Sequence, residues 1–224
     1  MNAIRLDSIS HMGELRMIKK NDNINADGMN VFERGIKRTG DVLGALFGLI
    51  CTSPLFLAIA LMQKKEGEGP VFFRQERIGL HGKPFMILKF RTMKVQAEQD
   101  GPQLAQVDDD RLTGVGKWLR AHHLDELPQL WNVLVGDMSF VGYRPEREFY
   151  IRQIMEHRPD YADLYCSRPG VTSDATLHNG YTDTMEKMLT RLDMDLDYLH
   201  HRSLARDLKI IYETLFSVAG GKKF

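Results

Sequence analysis

Little of this chain is cysteine, and its charges cancel. The two cysteines, Cys51 and Cys166, cannot build a disulfide framework in a chain of 224 residues. Lys and Arg number 30 and Asp and Glu number 30. That balance excludes bulk nucleic-acid binding, which draws on a basic excess to neutralise phosphates. No internal repeat and no linker divides the chain. Residues 1–30 form a polar lead-in in which Asn21, Asp22, Asn23 and Asn25 crowd together, and 31–224 read as one domain. Metal and nucleotide signatures are also scarce. His122-His123 and His200-His201 lack the spacing of a helical zinc pair. A calcium loop starting at Asp193 fails because Leu204 stands where its last glutamate belongs. Gly79-x-x-Gly82-Lys83 is too short for a phosphate loop.

What the chain does have is one long apolar run. Val42 to Met62 is 21 residues without a charge. As a helix it would measure about 32 Å, near the hydrocarbon thickness of a bilayer. It is too long, and starts too far along the chain, for a secretory signal. Ser53-Pro54 sits mid-run, where proline removes a backbone donor and predicts a kink or break. Ser53 can satisfy a carbonyl that Pro54 frees. Arg34, Lys37 and Arg38 precede the run and Lys64 and Lys65 follow it. A spanning helix would put one basic cluster on the disfavoured side; a helix that bends and returns keeps both in the cytoplasm. The residues alone leave both topologies open. Asp41, three residues from Arg38, is expected to pair with it at the membrane edge.

Beyond the run, VFFRQERIG and GKPFMILKFRTM read as a short hairpin turning at Gly79, His81 and Gly82. Residues 96–110 read as a loop. Helices are expected over about 115–122, over 124–135 closed by Gly136, over 146–156, over 184–201 and over 203–218. Residues 167–183 read as loop. In the last helix Leu204, Leu208, Ile211, Leu215 and Val218 make one apolar stripe, suited to a core or to a bilayer surface.

The sharpest stretch is LDELPQLWN, residues 124–132. Asp125 is a good helix-capping residue and Pro128 suits a first turn, which places Asp125 and Glu126 at a helix N-terminus. An ionised carboxylate there can attack phosphorus to give an acyl phosphate. Its neighbour can hold a divalent cation that offsets the charge of a pyrophosphate. The plainer reading makes Asp125 a cap and Glu126 a solvated charge. Lys89, Arg91, Arg120, Arg144, Arg147 and Arg168 supply the cations that phosphoryl transfer requires.

These residues resemble one family, the bacterial sugar transferases, or monotopic phosphoglycosyl transferases. The resemblance runs from about Phe32 to Phe216. It rests on KRTGD at 37–41, SP at 53–54, PVFFRQERIG at 70–79, KFRTM at 89–93, LDELPQLWNVLVGDMSFVG at 124–142, RPG at 168–170, and a late D-x-D-Y followed by S-x-x-x-D-L-K-I.

The resemblance implies an α+β, mainly helical, monotopic membrane protein with a small β-hairpin. Its membrane element would be a re-entrant helix–break–helix over about 37–64, broken at Ser53 and Pro54. The implied reaction passes a phosphosugar from a UDP-sugar to polyprenyl phosphate, releases UMP and starts glycan assembly. The implied place is the bacterial inner membrane, with the site facing the cytoplasm. Asp125 would be the nucleophile and Glu126 its partner near a required Mg²⁺. Arg120, Arg144 and Arg168 would clamp phosphates, Lys89 and Arg91 would lie beside the site, and Asp195 would be the family's late aspartate near the dyad. The chain is similar to the small, catalytic-domain-only members, which points to an N-acetylated hexosamine or a derivative as sugar. Homo-oligomers and contacts with downstream glycosyltransferases are left open. Tyr143, Ser173 and Thr176 depart from the family's usual residues. Two competing readings are a Leloir-type glycosyltransferase using Asp193-Met194-Asp195 as its metal motif, and a non-catalytic membrane scaffold.

Overall fold

Asn30 starts the first helix. Its side chain accepts from the Glu33 N–H, and the Glu33 carboxylate accepts from the Asn30 N–H, a reciprocal cap. The computed structural model describes residues 27–95, 97, 109–180 and 182–220. Most of the lead-in and of the 96–110 loop therefore lies outside the described residues. The order is α1 (Val31–Glu66), β1 (Phe72–Ile78), β2 (Pro84–Phe90), α2 (Gly114–Ala121), a 3₁₀ turn (Leu124–Glu126), α3 (Gln129–Val135) and β3 (Ser139–Val141). Then come α4 (Glu148–His157), a 3₁₀ stretch (Pro159–Cys166), β4 (Gly170–Thr172), α5 (Asp174–His178), α6 (Met185–His201) and α7 (Leu204–Ala219). The fold is mostly helical, as expected.

Helix α1 is 36 residues and is long and apolar enough to cross a membrane. The expected break does not occur: the helix runs through Pro54. The reason is local. Proline at 54 cannot donate to the Ile50 carbonyl, and the Ser53 hydroxyl donates to it instead at 2.8 Å. Thr52 likewise donates to the Gly48 carbonyl at 2.7 Å.

The buried residues of α1 fall into two patches, Asp41 with Ala45 and Ile59 with Gln63. The first packs on α3 and β3, and the second on β2 and α2. Between them Phe47, Ile50 and Leu57 are exposed. The expected Arg38–Asp41 pair is absent. Arg38 donates to the Val133 and Leu134 carbonyls at 2.6 and 2.9 Å, and Asp41 accepts from the Phe140 N–H at 3.1 Å. Each finds a backbone partner from another element, which serves a buried charge better than a neighbour on its own helix. At the far end, Glu66 Oε1 accepts from the Val115 N–H at 2.8 Å and so caps α2.

The hairpin forms as expected: β1 and β2 are antiparallel, pairing Phe72 with Phe90 and Phe73 with Lys89. The stretch read as loop over 167–183 instead holds β4 and α5. β4 pairs in parallel with β3, Ser139 opposite Gly170 and Val141 opposite Thr172. That pair depends on two glycines. A Cβ on Gly142 would lie 2.4 Å from the Arg168 carbonyl oxygen, and one on Gly170 would lie 2.1 Å from the Gly142 nitrogen. The main core joins α4, α6 and the second 3₁₀ stretch through Ile151, Ile154, Leu164, Leu192, Leu196 and Leu199. The α7 stripe is core only in part: Leu208 and Leu215 are exposed, while Ile211 packs on the cluster that holds the buried Ile210.

Gly142→Ala is expected to cost about 1–3 kcal/mol, because only backbone could move to admit the methyl group. Thermal unfolding in detergent would read it as a lowered midpoint. An unchanged midpoint would contradict the close crossing.

Candidate active site

Two leucines place the acidic pair. Leu124 and Leu127 pack on the cluster of Ile59, Phe90 and Leu119, and the 3₁₀ turn between them turns Asp125 and Glu126 toward a cavity. The expected single helix over 124–135 is split. His123 adopts a left-handed conformation (φ 54°) ahead of the turn, and Pro128 stands at the cap of α3. Asp125 therefore lies within the short turn and caps no long helix.

Asn132 fixes that turn against the hairpin. Its amide accepts from the Leu88 N–H at 2.9 Å and donates to the Met86 carbonyl at 2.8 Å. The next strand residue, Lys89, bonds Glu126 through its Nζ.

The cavity measures about 2330 Å³. Lys89, Arg91, Arg120, Arg144, Arg147, Asp125 and Glu126 all line it, so the dyad and five of the six cations singled out in the sequence meet there. Arg91 is engaged at its Nη1, which donates to the Glu68 carbonyl at 2.7 Å. Arg120 Nη1 is enclosed and makes no hydrogen bond among the described residues, the condition of a donor held for an anion. Arg168 stands elsewhere: its Nε donates to the Gly136 carbonyl at 2.8 Å, and it feels the charges of Arg38 and Asp41. Asp195 lies behind the cavity wall, buried beside Arg191, Glu146 and the backbone N–H of Arg144. The sequence reading missed Arg77, Glu146 and Arg191, which also line the cavity. Glu146 accepts from Arg77 at 3.3 Å and from Arg191 at 2.7 Å. Their signal was weak: Arg77 is one charge among several in the PVFFRQERIG motif, Glu146 stands in the loop ahead of α4, and Arg191 is one polar residue within α6.

The two carboxyls of the dyad are pushed apart in acidity. Burial raises Asp125, and the neighbouring Glu126 charge raises it further, against the pull of Lys89 and Arg120. Burial would raise Glu126 too, but Lys89 and Arg144 prevail and hold it well below the usual range. Glu126 thus stays ionised, which suits ion pairing better than proton transfer. Asp125 is the more basic and the better nucleophile once ionised.

No cluster of three or more His, Cys, Asp or Glu side chains exists among the described residues. A closed protein cage for a cation is therefore absent among them. Two adjacent carboxylates are nevertheless the donor set that Mg²⁺ takes when substrate phosphates complete its shell, so the dyad fits that ion.

The alternative metal motif fails on geometry. Asp193 is exposed and bonds Arg158 at 2.7 Å, whereas Asp195 is 3% exposed. Two residues apart on α6, they face different ways. Tyr143 is buried in the main core, and its hydroxyl has no partner there. Ser173 caps α5, accepting from the Thr176 N–H at 3.0 Å.

Comparison with known proteins adds the family. The family model for bacterial sugar transferases matches residues 32–221. The chain belongs to the bacterial sugar transferase family. It is 47% identical over 186 residues to the UDP-glucose:undecaprenyl-phosphate glucose-1-phosphate transferase of Caulobacter vibrioides, covering 81% of this chain and 69% of that one. It is 39% identical to the UDP-N-acetylgalactosamine-undecaprenyl-phosphate N-acetylgalactosaminephosphotransferase of Aeromonas hydrophila, covering 83% of this chain and 44% of that one. It is 35% identical to the exopolysaccharide production protein PSS of Rhizobium leguminosarum bv. phaseoli, covering 84% of this chain and 98% of that one. The chain thus spans less than half of the Aeromonas protein and nearly all of the Rhizobium one.

Asp195 generates a pH prediction. Burial raises its carboxyl to about 7 from an ordinary value of 3.8. Between those values the folded chain binds more protons than the unfolded one, so stability falls as pH rises and levels off above the upper value. Asp195→Asn keeps an acceptor for Arg144 without the charge. It should unfold at a higher temperature than the parent at about pH 8, with the gap closing as pH falls toward about 4. Thermal unfolding across that range checks it; a gap independent of pH would refute it.

Proposed function

We propose that this chain transfers a sugar-1-phosphate from a UDP-sugar to undecaprenyl phosphate, releasing UMP, through a phosphosugar held on Asp125. The enclosed dyad, set among Lys89, Arg120 and Arg144 in a member of this family, carries that reading. The relatives' names support the donor and acceptor classes and divide between glucose and N-acetylgalactosamine. The Rhizobium relative's name supports a role in starting exopolysaccharide assembly.

In the first step an Asp125 oxygen attacks the phosphorus that carries the sugar. The bond from that phosphorus to the bridging oxygen breaks, and its electron pair leaves with UMP. In the second step an oxygen of the lipid phosphate attacks the same phosphorus. The acyl-phosphate bond breaks and Asp125 is regenerated. Arg120 and Arg144 bind the spread-out charge of the phosphates. Lys89 keeps Glu126 ionised beside the nucleophile. Mg²⁺, held by Asp125 and Glu126, would neutralise pyrophosphate charge.

The membrane arrangement we propose is re-entrant. Both ends of α1 pack on one folded body, which brings Arg38 and Lys64–Lys65 to one face of the bilayer, the cytoplasmic face of the inner membrane. The exposed apolar middle then enters the lipid, and a bend at Pro54 within the continuous helix turns it back.

UMP release by detergent-solubilised protein, with UDP-glucose or UDP-N-acetylgalactosamine and undecaprenyl phosphate, tests the reaction. Asp125→Asn should lower turnover by about 10³-fold or more. EDTA should stop it and Mg²⁺ restore it. Label from a β-³²P UDP-sugar should be trapped on the peptide containing Asp125. UDP as the product, or label elsewhere, would refute the reading. For topology, Phe32→Cys and Lys65→Cys in a background lacking Cys51 and Cys166 should both react with an impermeant maleimide in inverted vesicles alone. Reaction of the two from opposite sides would mean a spanning helix.

A further inference from the structure

The cavity does not end at the dyad. From Lys89 its lining continues over Ile87, Phe140 and Val171 to a trough between the N-terminal half of α1 and helix α7. One wall is Ile36, Gly40 and Phe47; the other is Leu208, Ile211 and Leu215. Three glycines, Gly40, Gly44 and Gly48, lie at helical spacing along one face of α1. They are used differently. Gly44 is filled by Phe140, whose ring would come within 2.8 Å of an added Cβ, and Gly48 by Leu130 at 3.1 Å. Gly40 meets nothing within 4 Å. The helix is thus pared back where no protein side chain occupies the space.

The trough suits an apolar guest and no phosphate. Lys37, which lines it, is paired to Asp207 at 2.5 Å and donates to the Val141 carbonyl at 3.0 Å. Tyr198 donates to the other Asp207 oxygen at 2.6 Å. Asp41 is engaged by the Phe140 N–H. The charges here are satisfied, whereas the dyad end keeps an unpartnered Arg120 nitrogen. One continuous cavity therefore has an anion-binding end and an apolar end, the profile of a phosphate ester with a long hydrocarbon chain.

We propose that this trough holds the isoprenoid chain of the lipid acceptor, laid along Gly40 between α1 and α7, with its phosphate at Asp125. This rests on the reaction proposed above and adds where the acceptor's tail runs. The exposed members of the α7 stripe, Leu208 and Leu215, become the outer wall of that track, and Ile211, packed in part on the cluster around Ile210, its floor.

Gly40→Leu tests it, because the new side chain would fill the trough without displacing any side chain now in place. Gly35→Leu is the control: Gly35 is another open helical glycine, and it does not line the cavity. Each protein is assayed for UMP release with undecaprenyl phosphate and with a ten-carbon prenyl phosphate, and for label on the protein without any acceptor. Gly40→Leu should raise the KM for the long acceptor by about tenfold or more, leaving the short acceptor and the labelling step within about twofold. Gly35→Leu should match the parent in all three. Parent-like kinetics of Gly40→Leu with the long acceptor would overturn the trough and leave the reaction standing. A parent protein that turns over neither acceptor would overturn the reaction itself. Should Gly40→Leu fold poorly, a diazirine-tailed prenyl phosphate on the parent protein decides. Crosslinks in 204–219 that undecaprenyl phosphate competes away support the trough; crosslinks confined to 50–58 refute it.

Discussion

The site depends on a pairing between elements far apart in the chain, Lys89 with Glu126. Two neighbouring carboxyls cannot be enclosed together in their charged forms without nearby cations. Lys89 meets that demand from β2, which is why the hairpin must hold its register and why Asn132 ties strand to helix at Met86 and Leu88. Leu124 and Leu127 then complete the constraint from the apolar side. The asymmetry between Asp125 and Glu126 follows from which of them Lys89 reaches, since the two are adjacent in the chain and share the same turn.

Similar pairings recur through the body. Glu146 sits between Arg77 and Arg191, Asp27 between Arg34 and Arg202, and Asp207 between Lys37 and Tyr198. A net charge of zero therefore conceals a segregated interior, where Glu146, Asp27 and Asp207 are matched at structural positions and an Arg120 nitrogen is left over at the cavity. Overall composition excluded a nucleic-acid binder but could not reveal this local surplus.

Local patterns were legible in the sequence, and pairings across distance were not. The hairpin was readable from aromatic and β-branched residues around Gly79 and Gly82. The starts of α6 and α7 were readable from Thr184 and Ser203, which cap them. Ser53 was expected to satisfy the carbonyl freed by Pro54, and it does so well enough that the helix continues. The β3–β4 pair was invisible, because three-residue strands about 30 residues apart leave no periodic trace. The split at 123–128 was hidden because a left-handed His123 carries no signature. The motif residues drew attention to Arg168 and Asp195, but a residue's type does not tell which side of the backbone its neighbours occupy. The first turns to the Gly136 carbonyl and the second lies behind Arg144. The α7 stripe had the spacing of a core face, and spacing alone cannot distinguish a protein partner from a lipid one.

The Glu66 carboxylate ends the long apolar helix α1 and caps the helix that carries Arg120. No flexible tether separates the two. A change in the tilt of α1 therefore reaches α2 as a displacement of its first turn, and reaches the dyad, whose Asp125 stands four residues beyond the other end of α2. In the membrane arrangement proposed above, bilayer thickness would enter the chemistry as a mechanical variable, and the same polypeptide would run at different speeds in lipids whose head groups are identical but whose acyl chains differ in length.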